Sequence, residues 1–311
     1  MATWGKMSDM KIVIIGAGAF GGYFGALLHE SGADATLIAR GATLEILRER
    51  GIHVKDQQGQ RTVAVPAASS FHELEGADVV LVATKALAGG AAPGELLDAI
   101  PADAMVAITQ NAVEAPQIAA DVVGTQRVWP GVVRGFFIHS GPAAVEYRGG
   151  PLSYTFGTWG TSHSGLAEDF ATALNAAGID AQVHPDIWVD MWEKAMFVTT
   201  FGALGACVDK PLGTLRTDYR STLEALMYEV RAVAGASGVE LSDDVVGRTM
   251  AFADQMPADS TSSMQRDLAS GGDSELDAQV GAIVRAGTTH QVDVRLHDFI
   301  YTALRNRGRV R

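Results

Sequence analysis

The sequence has almost no cysteine and no long uninterrupted apolar run. Cys207 is its single cysteine, so no intramolecular disulfide can form, and a secreted class held together by disulfides is excluded. No run of about 18 apolar residues occurs, which excludes a membrane-spanning helix. The start of the chain also lacks a signal-peptide pattern, and residues 1–9 look like a loose leader. We therefore expect a cytoplasmic protein with no membrane association.

Positive charge and metal-ligand spacing are lacking as well. The chain has 24 Lys and Arg against 36 Asp and Glu, a formal net charge of −12. This charge argues against a nucleic-acid partner, because phosphate backbones are bound by clustered Lys and Arg. The eight histidines are scattered and form no close pair, so no metal site is predicted. The expected partner is a small molecule, and a locally basic site could still bind an anionic one.

Length and patterning predict two domains. A chain of 311 residues exceeds what one core usually organises, and its 47% hydrophobic residues are ample for two cores. Short apolar segments alternate with helical ones as far as Pro185, after which the pattern becomes helical throughout. We predict an α/β Rossmann-type dinucleotide-binding domain over residues 1–185 and an all-α substrate and catalytic domain over 186–311.

A glycine-rich loop follows the first predicted strand, KIVII at 11–15, and precedes a helix predicted over 22–31. Gly16 would permit a tight turn, Gly18 would let the backbone approach a pyrophosphate, and Gly21 would let the helix pack on the strand. Placed between strand and helix, the loop predicts dinucleotide binding, and a glycine-rich turn without ligand is the alternative. The predicted binding residues are Gly16, Ala17, Gly18, Ala19, Phe20 and Gly21.

The residues after the next strands bear on the choice of cofactor. Arg40 follows the second strand, where an acid would indicate NAD, and its guanidinium can pair with the 2′-phosphate of NADP. The predicted cofactor is therefore NADP (NADPH), and an exposed arginine is the alternative.

Lys85 and Asn111 follow strands predicted over 78–84 and 104–109. Ligands of such sheets lie at this edge, although ordinary loop positions would look the same.

A lysine interrupts an apolar stripe on the first helix of the second half, predicted over 187–201. Ile187, Met191, Lys194 and Val198 are spaced so that they share one face. A desolvated lysine has a lowered pKa, which suits it to proton transfer near neutral pH. The alternative is a lysine that extends from the helix edge into solvent.

Taken in order, these motifs resemble those of the ketopantoate reductase (2-dehydropantoate 2-reductase) family. The resemblance runs over nearly the whole chain. It implies NADPH-dependent reduction of a 2-oxo acid to a 2-hydroxy acid, 2-dehydropantoate to pantoate, in pantothenate biosynthesis. The residues that carry it are GAGAFG at 16–21, Arg40, TK ending at Lys85, QN ending at Asn111, WEK ending at Lys194, PLGTLR at 211–216, and SSM followed by SELD, which contain Ser263 and Glu275.

The resemblance implies a role for each matched residue. Lys194 would contact the substrate and protonate its carbonyl oxygen as a general acid. Glu275 would be a second catalytic residue, beside both nicotinamide and substrate. Asn111 would contact cofactor and substrate, and Ser263 would hydrogen-bond the substrate. Without the resemblance, Glu275 would be a carboxylate at a helix N-terminus and Ser263 a plain N-cap.

Three predicted substrate positions depart from the family pattern. Val198, Gly202 and Leu212 stand where the family has asparagines that bind the hydroxyl and carboxylate of the substrate. The absence of these asparagines makes the pocket more apolar and leaves polar groups of the substrate without hydrogen-bond partners. An NADP-dependent reductase or dehydrogenase of the same fold, acting on a less polar carbonyl or hydroxy compound, therefore stays open. So does a non-catalytic NADPH-binding redox sensor, although Lys194 and Glu275 argue against it. The sequence leaves the oligomeric state open, with a homodimer as one arrangement.

Overall fold

The computed structural model describes residues 10–87, 94–159 and 165–307, and the predicted leader at 1–9 lies outside them. The described residues group into two compact units. The first unit ends at Ile187. The second unit contains Trp188 and the helices after it, together with Ala86, Leu87 and the segment Asn111–Ala115. These two short segments follow strands of the first unit in the chain, which is why a single predicted boundary did not include them.

The main sheet of the first unit is parallel. Its strands are β1 (Lys11–Ile15), β2 (Asp34–Ile38), β5 (Ala67–Ala68), β6 (Val79–Val82), β7 (Met105–Ile108) and β8 (Val128–Trp129). They lie in the order β5-β2-β1-β6-β7-β8, with every neighbouring pair parallel. All four residues of β6 are buried, as expected for a strand covered on both faces. The Rossmann-type prediction for this half is confirmed.

Two smaller sheets complete the strands of the first unit. One contains β3 (Ile52–Asp56), β4 (Gly59–Val63), β10 (Phe137–Gly141) and β11 (Ala144–Tyr147), in the order β10-β11-β3-β4. The other contains β9 (Gly131–Arg134), β12 (Ser153–Phe156) and β13 (Asp180–Val183), in the order β13-β12-β9.

The α-helices of this unit in the described part of the chain are α1 (Ala19–Glu30), α2 (Gly41–Arg50), α3 (Gly94–Asp98), α4 (Ala115–Val123) and α5 (Gly165–Ala176). The first helix begins at Ala19, three residues before its predicted start. The glycine loop therefore turns directly into the helix. Trp129, Tyr154, Phe156 and Phe170 form a buried aromatic cluster in this unit, with ring centroids 5.1 to 6.5 Å apart.

The second unit is helical, as predicted. Its helices are α6 (Ile187–Val208), α7 (Leu212–Thr217), α8 (Arg220–Ala236), α9 (Val245–Gln255), α10 (Ser263–Ser270), a π-helical turn (Asp277–Gly281), α11 (Ala282–His290) and α12 (Arg295–Arg307). Leu223, Leu226, Met227 and Val230 on α8 are fully buried, since their spacing places them on one face towards the core. Among the described residues, no helix combines the length and hydropathy that a membrane crossing requires.

Candidate active site and nucleotide site

The glycine loop joins β1 to α1 through a turn that needs two of its glycines. Gly16 has φ +104°, a conformation that favours glycine, and its N–H donates to the carbonyl of Ile38 at 3.0 Å. A Cβ on Gly21 would lie 2.2 Å from the carbonyl oxygen of Gly16 and 2.6 Å from Cβ of Ala83. Gly16 and Gly21 are therefore required by the turn and by the packing of α1.

Gly18 differs, because nothing within the described protein requires a glycine there. Its φ of −78° is open to any residue, and no protein atom lies within 4 Å of where its Cβ would be. Gly18 is the N-cap of α1, where no side chain caps the helix and no acidic residue occupies the first turn. Free helix N–H groups beside open space form a ready anion site, so this loop fits a dinucleotide pyrophosphate.

A cavity of about 300 Å³ lies at this loop, within the first unit. Its walls include Gly16, Gly18, Ala39, Arg40, Thr43 and Thr84. Neither Thr43 nor Thr84 was predicted as a site residue. The position of Thr43, three residues after Arg40 at the start of α2, could have indicated it.

Arg40 and Lys85 have different surroundings. Arg40 is the N-cap of α2, is exposed, and its side chain forms no hydrogen bond or ion pair with another described residue. Its guanidinium is thus available at the cavity. Lys85 is exposed and is absent from the cavity walls. Its predicted part in cofactor binding stays a prediction.

In the second unit, the structure brings Lys194 and Asn111 together. Lys194 on α6 is half-buried, and its Nζ donates a hydrogen bond to Oδ1 of Asn111 at 2.5 Å. The two residues are 83 positions apart in the sequence. This bond gives the lysine a defined direction, which a lysine extending freely into solvent would lack.

Glu275 is held by two donors. The residue is only 8% exposed. Its Oε1 accepts from the backbone N–H of Ala86 at 2.9 Å, and its Oε2 accepts from Nε2 of Gln279 at 3.2 Å. Gln279 lies in the π-helical turn and was not predicted. Its spacing of four residues from Glu275 was the available signal.

An ion-pair network links the segments that carry Asn111 and Glu275. Arg285 on α11 donates to Glu114 at 2.7 Å and to Oδ1 of Asp277 at 3.2 Å. The hydroxyl of Tyr301 also donates to Asp277. Hydrogen bonding to Glu114 is the main cause of the raised pKa of Arg285, whose guanidinium is charged like that of any arginine. A single sequence gives no sign of this network, because Glu114 and Arg285 are 171 residues apart.

The predicted substrate positions on α6 differ in their surroundings. Val198 is half-buried, one helical turn after Lys194. Gly202, one turn further, is buried, and a Cβ there would lie 2.8 Å from Cε of Met264 and 3.0 Å from Oγ of Ser262. An asparagine at position 202 would therefore require Met264 to move.

Leu212 and Ser263 complete the predicted set. Leu212 is fully buried in the core of the second unit. Ser263 is exposed at the first position of α10. The alternative that made Ser263 the N-cap is wrong: Ser262 caps α10, because its Oγ accepts from the N–H of Gln265 at 3.0 Å. The substrate roles of Leu212 and Ser263 stay predictions.

Comparison with known proteins assigns the family. Models of ketopantoate reductase PanE/ApbA and of its C-terminal part match residues 12–161 and 186–308. A 2-dehydropantoate 2-reductase of Caulobacter vibrioides is 29% identical over 91% of this chain and 93% of its own length. A PanE/ApbA family ketopantoate reductase from Ralstonia eutropha is 29% identical with a TM-score of 0.84, over 95% of this chain and 97% of the other.

A D-mandelate dehydrogenase solved with NADH and anilino(oxo)acetate has the same fold, with a TM-score of 0.84 at 24% identity, over 95% of this chain and 97% of that chain. At this level of identity, the comparison shows a shared fold and nothing further. The two family models, by contrast, match most of both halves of the chain. This protein is therefore an oxidoreductase of the ketopantoate reductase (PanE/ApbA) family.

Proposed function

We propose that this protein uses NADPH to reduce a 2-oxo acid to a 2-hydroxy acid, in the manner of a 2-dehydropantoate 2-reductase. The observation that carries the proposal is the 2.5 Å hydrogen bond from Nζ of Lys194 to Oδ1 of Asn111. It holds an ammonium group in one direction on a half-buried helix face, as a general acid requires. The family assignment supports the same reaction class.

The chain's residues divide the work in this reaction. The cofactor supplies the hydride when it is bound. The N–H groups at the start of α1 bind its pyrophosphate, with Gly18 allowing close approach. Lys194 donates a proton to the carbonyl oxygen of the substrate, a contribution typically worth about 10²–10⁴-fold in rate. Asn111 orients Lys194, and Glu275 orients the cofactor and substrate.

NADPH is favoured over NADH by the surroundings of Arg40. Its guanidinium is free of carboxylate partners among the described residues and lines the same cavity as Gly18. Ala39 stands where an acid would pair with the ribose hydroxyls of NAD. A 2′-phosphate would therefore meet a cation and no opposing carboxylate.

The decisive experiment follows NADPH absorbance with a panel of 2-oxo acids that includes 2-dehydropantoate. We expect turnover that Lys194→Met lowers at least about 100-fold, because the general acid is lost. Lys210→Met is the matched control, since Lys210 is an exposed lysine of the same unit. Unchanged turnover in Lys194→Met would contradict the assignment of the acid. NADPH binding without turnover of any compound would favour the redox-sensor alternative.

A second candidate function is the reduction of a less polar carbonyl compound. The observation that favours it is the packing around Gly202. Met264 and Ser262 lie so close that they occupy the space a side chain at this position would need. Val198 adds a second apolar position on the same helix face. Both changes remove hydrogen-bonding groups that a hydroxylated substrate needs.

The test of this candidate is a comparison of kcat/KM for 2-dehydropantoate with that for an aromatic or branched alkyl 2-oxo acid. Val198→Asn should shift the ratio towards 2-dehydropantoate by about 10-fold, since one recovered hydrogen bond is typically worth that much. Val189→Asn is the control, because Val189 lies on the same helix but off the face of Lys194. A wild-type enzyme that prefers 2-dehydropantoate would overturn the candidate.

A further inference from the structure

Gln279 makes two hydrogen bonds to Glu275. Its backbone N–H donates to the carbonyl of Glu275 at 2.9 Å, and its side-chain Nε2 donates to Oε2 of the carboxylate at 3.2 Å. The NH₂ end of the amide, the end that can donate, thus faces the carboxyl group of Glu275. This fixes the orientation of the Gln279 amide.

The orientation leaves the other end of the amide without a partner. Gln279 is 2% exposed, and its Oε1 is buried with no hydrogen-bond partner in the described structure. A buried acceptor without a partner destabilises a fold, and a methionine would occupy similar volume without that penalty. The packing of the core therefore gives no reason for a glutamine here, whereas the bond to Glu275 does.

The π-helical turn supplies the geometry for this bond. Turns of this kind are rare and often mark functional positions. Here the turn starts at Asp277, which is fixed by Arg285 and by the hydroxyl of Tyr301. Gln279 thus projects from a turn whose first residue is held by contacts with residues other than Glu275.

We propose that Gln279 is a positioning residue for Glu275: together with the N–H of Ala86 it holds the carboxylate in one orientation towards cofactor and substrate. Each donor binds one carboxylate oxygen, so rotation of the group about its terminal bond breaks both hydrogen bonds. The catalytic consequence rests on the function proposed above. The hydrogen bond itself does not.

The test is a double-mutant cycle on the full-length protein, with Gln279→Met, Glu275→Met and the double variant. Gln279→Met should lower kcat about 10-fold and change KM less than about 2-fold, because a displaced orienting group affects the reaction more than binding. In the Glu275→Met background the same change should have less than about a 2-fold effect, since residues that act through one another are not additive.

Gln265→Met is the matched control. Gln265 is 6% exposed in the same unit, its Nε2 donates one hydrogen bond, to the carbonyl of Lys210 at 3.2 Å, and its Oε1 is likewise buried without a partner. We expect its kcat to match that of the wild type. A control that loses as much kcat as Gln279→Met would assign both residues to structure alone and overturn the proposal.

The remaining outcomes separate the two proposals. Turnover in the wild type with additive effects in the cycle would overturn positioning and leave the reductase function intact. Absence of turnover with every 2-oxo acid would count against the reductase function. In that case the free energy of unfolding is measured for the same four proteins of the cycle. A coupling energy between Gln279 and Glu275 would support the hydrogen bond that positions Glu275, and additive effects would overturn it.

Discussion

Arg40 is a single cation whose surroundings make it a test of cofactor choice. It lies at the cavity beside Gly18, without a carboxylate partner among the described residues. Arg40→Ala should weaken NADPH binding by about 10- to 100-fold, the size of a lost charge-assisted hydrogen bond to phosphate, and leave NADH binding unchanged. Titration of the fluorescence of each cofactor measures both affinities.

Arg50→Ala is the control for this change. Arg50 is exposed in the last turn of the same helix, and its ion pair with Glu49 is long at 3.9 Å. Both cofactor affinities should stay at the wild-type values in this variant. If Arg40→Ala leaves the ratio of NADPH to NADH affinity unchanged, the assignment of Arg40 to the 2′-phosphate is wrong.

Individual site residues could be predicted where the type of residue and its place in the order of motifs identify it. The structure brings Lys194 and Asn111 together, although their roles in turnover stay predictions. Gln279 was missed, because its spacing of four residues from Glu275 is a weak signal and the π-helical turn that carries it has no clear sequence pattern. The choice between Ser262 and Ser263 as N-cap of α10 was missed for a similar reason. Adjacent serines differ only in backbone geometry.

At the scale of elements, glycine has two different roles in the strand–turn–helix unit of β1 and α1. Gly18 leaves room for a ligand, and Gly21 allows the helix to pack. Gly18→Ala should leave the free energy of unfolding within about 0.5 kcal/mol of the wild type, because its Cβ meets open space. NADPH binding should nevertheless weaken, since the new methyl group occupies the approach of the pyrophosphate. Chemical denaturation and cofactor titration give the two quantities.

Gly21→Ala should instead destabilise the fold, because Gly21 is needed for packing. Its Cβ would lie 2.2 Å from a backbone oxygen, so the helix must shift. Such overpacking typically costs about 1–3 kcal/mol of stability. Full NADPH affinity in Gly18→Ala would contradict the placement of the pyrophosphate. Wild-type stability in Gly21→Ala would contradict the packing.

The start of α12 depends on one carboxylate. Glu229 on α8 accepts hydrogen bonds from the backbone N–H groups of Leu296 and His297 at 2.9 and 3.1 Å, and contacts Nδ1 of His297 at 2.6 Å. Burial alone would raise the pKa of Glu229, but these hydrogen bonds outweigh it and hold the pKa below its ordinary value of 4.5. The ionised form is thus favoured by folding.

This shift predicts how stability depends on pH. Because the folded pKa of Glu229 lies below 4.5, its contribution is fully present above that pH and is lost as the pH falls through the folded pKa. Glu229→Gln should therefore be less stable than the wild type at pH 7, with a difference that shrinks below pH 4.5. Urea denaturation across this range measures the effect. Glu224→Gln on the same helix is the control, and a constant difference for Glu229→Gln would contradict the prediction.

Elements with strong apolar patterning were the ones the sequence could predict. The strand KIVII and the apolar helix from Ile187 are where they were expected, and α6 continues to Val208. The hairpin of β3 and β4 was missed because much of it is exposed, so its strands lack a continuous apolar run. The helix α2 was missed because Leu47 is its only buried residue among those described.

At the scale of the whole molecule, the second unit is not a contiguous stretch of chain. Lys194, Glu275 and Arg285 have partners in Asn111, Ala86 and Glu114, which precede it in the sequence. A fragment that starts at Trp188 would leave Glu275 buried with one donor missing. We expect it to unfold at a lower denaturant concentration than the same unit in the full chain, because a buried oxygen that loses its hydrogen-bond donor is destabilising.

The control fragment carries Glu275→Met, which removes the carboxylate that has lost a donor. It should recover part of the stability, whereas the same change in the full-length protein should reduce it. Equal stability of the unmodified fragment and the second unit of the full chain would contradict the importance of the two short segments.

The interrupted order of the second unit also bears on its synthesis. Ala86 and Asn111–Ala115 leave the ribosome long before α6, while the remaining strands of the first unit are still to be made. Domains commonly fold as they emerge, N-terminal part first. The first unit can thus fold during translation and keep these segments attached to its strands β6 and β7, whereas the second unit can only be completed once α12 has been translated.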